Sequence, residues 1–157
     1  DSCLQWKDDN VMALNNYAYY LSEKGVDLHK AESMSYKTIK AEPNNGTYLD
    51  TYAWILFMEE HYADAKTYID QALKNRDSTA DNSTVLEHAG DIYYMNGMAD
   101  ESVDFWKKAY TGENQTEVLA WKIKNRQYIT EEELKKRNAS KQKPAATKKS
   151  VRKGKKK

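Results

Sequence analysis

The stretch Leu86-Glu87-His88-Ala89-Gly90-Asp91-Ile92-Tyr93-Tyr94-Met95-Asn96-Gly97 decides how this chain folds. Leu86, Ala89, Gly90 and Tyr93 stand at i, i+3, i+4 and i+7, one face of an α-helix. Asn96-Gly97 then supplies a turn. Beyond it Ser102, Trp106, Ala109 and Tyr110 open a second helical face. Small residues on both helices (Ala89, Gly90, Ser102) let them approach closely, and large ones such as Trp106 fill the space between. Neither helix can bury its stripe alone, so the pair must pack on itself and on a neighbour.

The same set occurs twice upstream. Leu49, Tyr52, Ala53 and Leu56 precede Ala65, Ile69, Ala72 and Leu73, and Leu14, Tyr17, Ala18 and Leu21 precede Ala31, Ser35, Thr38 and Ile39. The first-helix sets are offset by 35 and 37 residues. Lys24-Gly25 and Asn96-Gly97 mark the inner turns, with Glu60-His61 taking that place in the middle copy. Pro43-Asn44-Asn45 and Asp77-Ser78-Thr79 close the first two copies. Self-similarity at this period predicts stacked helix–turn–helix units.

Composition agrees. With 6 Gly and 2 Pro in 157 residues, a turn-rich all-β fold is excluded, and 12 Tyr with 4 Trp exclude a disordered body. No run of 18 apolar residues occurs, so no segment is expected to cross a membrane as a helix. The single cysteine, Cys3, rules out an internal disulfide framework and a cysteine-based zinc site, and it is expected to be a packing thiol.

The residues Asn16-Tyr17-Ala18-Tyr19-Tyr20-Leu21, Gly25, Ala31 and Pro43, then Tyr52-Ala53-Trp54-Ile55-Leu56, Tyr62, Ala65 and Ala72-Leu73, then Gly90-Asp91-Ile92-Tyr93, Gly97 and Trp106-Lys107-Lys108-Ala109, resemble the tetratricopeptide repeat family. The likeness covers residues 1–128 and extends to repeat arrays of Gram-negative bacterial proteins, some of them envelope lipoproteins. It departs from the family pattern in one extra residue between Gly25 and Ala31, in Glu60 at the usual turn glycine, in a missing closing proline in the second copy, and in about three residues inserted near Ala80–Asn82. The resemblance implies an all-α, right-handed α-α superhelix of about three repeats with a C-terminal capping helix. Repeat 1 is expected over 11–45, repeat 2 over 46–79 and repeat 3 over 83–114. Residues 1–10 align with the end of a preceding repeat helix, which predicts a turn at Asp8-Asp9-Asn10 and a piece of a longer protein.

Downstream, Val118, Leu119, Trp121, Ile123 and Tyr128 read as a cap that closes the last apolar face. Thr130-Glu131-Glu132-Glu133-Leu134 is a capping-box signature for a short extra helix ending near Asn138, so cap and helix span 115–139. Residues 140–157 are expected to be a disordered basic tail, having no aromatic and Val151 as their one branched aliphatic residue. Charge divides along the same line. Residues 1–129 carry 21 acidic and 13 basic side chains, net −8, while 130–157 carry 12 basic and 3 acidic, net +9. Of four Asn-x-Ser/Thr sequences, at Asn45, Asn82, Asn114 and Asn138, three sit where helices should start and are read as caps rather than glycosylation acceptors.

In tetratricopeptide folds the first helices line a concave groove, and the resemblance places there the stripe left over after each core face. The expected binding residues are Asn15 and Tyr19 in repeat 1, Asp50, Trp54, Phe57 and Met58 in repeat 2, and Glu87, Asp91, Tyr94 and Met95 in repeat 3. The aromatic and Met side chains offer apolar contact, and Asp50, Glu87 and Asp91 offer negative charge. Such a groove suits a protein or peptide partner that is apolar with basic residues. The alternative is that these side chains only pack between repeats.

A chaperone-tail carboxylate clamp is disfavoured, because Asn15 and Asn16 are the only clamp-type residues in reach and the third copy offers Thr84, Glu87 and His88. Catalysis finds no motif: HExxH, a Gly-rich phosphate loop and GxSxG are all missing, and His29, His61 and His88 lie in three different copies. No cofactor and no metal is expected. Glu87, His88 and Asp91, like Glu60, His61 and Asp64, are read as solvated polar faces rather than metal ligands. A rival function is an electrostatic tether, the tail binding polyanions or an acidic protein face; nucleic acid would be held only non-specifically.

Overall fold

A computed structural model describes residues 2–77 and 80–154, with side chains described over 10–77 and 80–142. Eight helices and no strand occur among the described residues: α1 Ser2–Lys24, α2 Leu28–Ala41, α3 Gly46–Met58, α4 Tyr62–Lys74, α5 Ser83–Met95, α6 Ala99–Ala109, α7 Glu117–Asn125 and α8 Glu131–Gly154. The chain is an all-α helical repeat solenoid. α1 packs on α2, α3 on α4 and α5 on α6, while α2–α3 and α4–α5 contacts join successive pairs.

The small-residue logic explains the close approach. Ala18, Ala53, Ala89, Ala31 and Ala65 are fully buried, as is Ser102. Gly90 meets the Trp106 ring so closely that a Cβ would collide with Cδ1 and Nε1. Trp106 is itself fully buried and cannot step aside cheaply. Ile69 and Leu49 fill the spaces between pairs, each side chain contributing roughly 1.5–3 kcal/mol by leaving water. Tyr17 departs from the expected core stripe: it is 46% exposed, stacks on Tyr20 and carries Lys30 Nζ of α2 over its ring at 5.6 Å.

Helix starts follow cap chemistry. Asn45 Oδ1 accepts the Tyr48 N–H at 3.2 Å, Thr116 Oγ1 accepts that of Leu119 at 3.2 Å, and Thr130 Oγ1 accepts that of Glu133 at 3.1 Å. Asn82 precedes α5, but its amide donates backward to the Asp77 and Ala80 carbonyls. Asn114 stands in the loop before Thr116, and Asn138 lies inside α8, so neither begins a helix. The inner turns reverse through left-handed residues, Gly25 at φ 68° and Gly97 at φ 78°; Glu60 takes the same conformation at φ 67°.

Two expectations are corrected. α1 runs unbroken from Ser2 through Lys24, so no turn forms at Asp8-Asp9-Asn10. Asp and Asn there are weak breakers, and neither Gly nor Pro interrupts the run. The Cys3 side chain lies outside the described residues. The short helix expected to end near Asn138 extends as α8 to Gly154, through residues read as a disordered tail. Lys, Arg, Gln and Ala are strong helix formers, and three Glu in the first turn suit the helix dipole; a composition too polar for a core can still be helical.

Candidate functional site: a half-capped concave groove

The first helices α1, α3 and α5 lie side by side, with α3 touching both neighbours. They wall a cavity of about 560 Å³ together with α7 and the start of α8. Its lining includes Tyr19 and Glu23 of α1, Trp54 and Met58 of α3, and Glu131 and Glu132 of α8.

The structure sorts the expected binding residues into three groups. Tyr19, Trp54, Met58, Glu87 and Asp91 line the cavity. Asn15, Asp50 and Phe57 are buried between neighbouring helices and do not line it. Tyr94 turns toward Trp106, with ring centroids 6.0 Å apart, and Met95 is exposed outside the cavity. The buried members stand on the flanks along which first helices meet, so stacking takes them from the groove.

Asp91 is inside the cavity wall but already engaged. It is 3% exposed, and its Oδ1 accepts from Trp106 Nε1 at 3.0 Å and from Lys122 Nζ at 2.8 Å. Lys122 also donates to Glu87 Oε2 at 3.1 Å, and Asn114 Nδ2 donates to Glu87 Oε1 at 3.3 Å. Burial alone would lower the Lys122 ammonium's pKa, but Asp91 and Glu87 more than offset it and hold the pKa above the usual range. Burial pushes the Asp91 carboxyl up, and Lys122 pulls it back only in part. Glu87, His88 and Asp91 are therefore not a solvated polar face, as the sequence suggested; they are a wall closed by a cation from α7.

Tyr128, in the α7–α8 connection, completes that closure. Its ring packs edge-on against Phe57 at 5.6 Å, and Lys122 Nζ lies 5.3 Å from its centroid. Ile129 beside it is 1% exposed. The cap thus enters the groove at its α5 end.

The middle of the face is built from rings. Trp54 stacks between His88 at 4.0 Å and Phe57 at 4.8 Å. His88 Nδ1 is 2.9 Å from Asp50 Oδ1. Burial would lower the His88 pKa, yet Asp50, with Asp91 and Glu87 behind it, raises it above the ordinary imidazole value. Trp54 Nε1 is enclosed and has no hydrogen-bond partner. Burial, then the Glu23 charge, pushes the Tyr19 phenol upward.

Sequence reasoning missed Lys122 as part of this wall and placed His88 on the third copy only as a polar-face residue, without its partner. Lys122 did carry a signal: with Leu119 and Ile123 it occupies i, i+3 and i+4 of one face, and a Lys on a buried stripe needs acidic partners. The His88–Asp50 pairing carried no signal, because the two lie 38 residues apart.

Known proteins share the architecture. The chain is 35% identical over 66 residues to a TPR repeat-containing protein of Pseudomonas aeruginosa, a match spanning 42% of this chain and 11% of that protein. This chain thus spans about a tenth of the curated relative it matches. No protein-family model matches the sequence. Among solved structures, the first TPR domain of human RPAP3 superposes with a TM-score of 0.63 at 13% identity, covering 74% of this chain and 88% of that one. The first TPR of Spaghetti (RPAP3), bound to the HSP90 peptide SRMEEVD, gives 0.63 at 13% identity, with 74% and 89% covered. The TPR2AB domain of yeast Sti1, in complex with pHSP90, gives 0.56 at 22% identity, with 94% and 55% covered. At these identities the likeness is one of fold. The chain has the tetratricopeptide-repeat fold.

Proposed function

We propose that this tetratricopeptide-fold chain is a protein-interaction module whose groove takes a peptide segment pairing an apolar or aromatic anchor with Lys or Arg. The observation that carries this reading is the composition of the open part of the cavity. Tyr19, Trp54 and Met58 offer an apolar wall, and Glu23, Glu131 and Glu132 are exposed carboxylates around it. The deep cation, Lys122, is spent on Glu87 and Asp91. Around the open part Glu131 is shared with Lys135 at 3.4 Å and Lys24 is the one exposed cation of the lining, so the three carboxylates still leave the rim net acidic and favour an incoming cation over an incoming carboxylate. The HSP90 peptide SRMEEVD of the solved neighbour is acidic at its end, so the chemistry proposed for this groove is the opposite.

Fluorescence polarisation with two labelled peptides tests this, one carrying Trp flanked by Lys and Arg, the other SRMEEVD. The basic peptide should bind and weaken with salt. Trp54→Ala should cost at least about 2 kcal/mol of that binding. Glu132→Lys, at an exposed position, should weaken binding without touching the fold. Tighter binding of SRMEEVD, or indifference to Glu132→Lys with native circular dichroism, would refute the proposal.

A second reading rests on α8, which carries nine Lys/Arg over its 24 residues. As an electrostatic tether it would bind anionic vesicles or an acidic protein face, and binding would vanish on truncation after Ser140. Binding of the basic peptide to the truncated chain separates the two readings.

A further inference from the structure

The groove leaves one constellation unused. His29 and Glu32 stand at i, i+3 near the start of α2, and Glu59 is the C-cap of α3. One ligand atom from each (an imidazole nitrogen and two carboxylate oxygens) lies within 4.8 Å of the others, the one such group of three among the described residues. His29 Nδ1 is 3.9 Å from Glu32 Oε2. The cluster borders a hollow of about 360 Å³ lined by His29, Glu32, Tyr36 and Tyr52, away from the groove.

We propose that His29, Glu32 and Glu59 form a binding site for a zinc-class divalent cation that clips repeat 1 to repeat 2.

Four observations carry it. The donor set is mixed: one imidazole with two carboxylates suits Zn²⁺, whereas Ca²⁺ and Mg²⁺ want six or more oxygens. Glu59 Oε1 is shut from solvent, and the hydrogen bond that raises the Glu59 pKa comes from a second carboxyl, Glu32, so two acids share a proton where a cation could stand. Burial, then the charge and the hydrogen bond of Glu32, hold the Glu59 carboxyl above its usual range, against the weaker pull of His61 and His29. The required motion is small. Tetrahedral zinc at its usual bond lengths of about 2.0–2.2 Å sets ligand atoms about 3.3 Å apart. The His29 side chain, 99% exposed, is free to swing in. Because the ligands come from α2 and α3, a bound ion would cross-link two successive pairs, and it would stabilise the folded array by mass action.

Isothermal titration of Zn²⁺ into the full chain, freed of any affinity tag, tests the site. Saturable binding at one ion per chain is expected, with a rise in thermal midpoint. His29→Ala and Glu59→Gln should each abolish both, with circular dichroism unchanged, and Asp64→Asn, at an exposed neighbour outside the cluster, should abolish neither. Absence of saturable binding, retention of it in His29→Ala, or equally tight binding of Ca²⁺ would overturn the assignment.

Discussion

The two ends of the concave face are made from equivalent helices yet end in opposite states. At the α5 end, Asp91 is 3% exposed and sealed by Lys122, Trp106 and Tyr128. At the α1 end, Glu23 and Tyr19 face an open cavity. The difference teaches what a terminal cap does. The last repeat has no successor, so α7 covers it, and the segment that covers it also reaches into the groove. A buried acid can be kept there only because the cap delivers a cation to it.

Removing that cation is the strongest way to break the contrast. Lys122→Met should destabilise the chain by about 3–5 kcal/mol, since it leaves Asp91 buried and uncompensated. Urea denaturation followed by circular dichroism reads this directly. Glu23→Gln at the open end should change stability little by the same measurement.

The middle of the face sharpens the comparison through pH. The folded-state pKa of His88 is raised above its ordinary 6.5, so its charged pairing with Asp50 stabilises the fold fully below that value. That contribution is lost as pH rises through the folded pKa. In Asp50→Asn, burial dominates, His88 becomes neutral, and this loss on the alkaline side disappears. Denaturation midpoints measured across neutral pH, with an NMR titration of His88, check the sign.

The smallest effect concerns the turn behind Trp54. Glu60 adopts φ 67° where the sister turns hold Gly25 and Gly97. Glu60→Gly should stabilise by up to about 1 kcal/mol, because an L side chain there carries a left-handed penalty that glycine avoids. A higher thermal midpoint is the expected result; a lower one would mean that the Glu60 side chain holds the turn.

Helix pairing was legible because it is written in short periods. Ala53, Ile69, Ser102 and Trp106 sit in the core where their i, i+3, i+4 spacing predicts. The groove was legible only in part. Tyr19, Trp54 and Met58 line it as expected, whereas Asn15, Asp50 and Phe57 vanish into seams between helices. A periodicity locates a face on one helix; it does not say how far the next helix overlaps that face. The tail was misread for a related reason, since burying a core and forming a helix make different demands on composition.

Sequence alone determined that residues 11–110 fold as three helical pairs, because each amphipathic stripe must find a partner within a few turns of chain. Tertiary structure alone decided which acids stay free. Lys122 meets Asp91 across 31 residues and Glu87 across 35, and His88 meets Asp50 across 38. Those meetings depend on how pairs stack and where the cap turns back, a geometry no local spacing encodes.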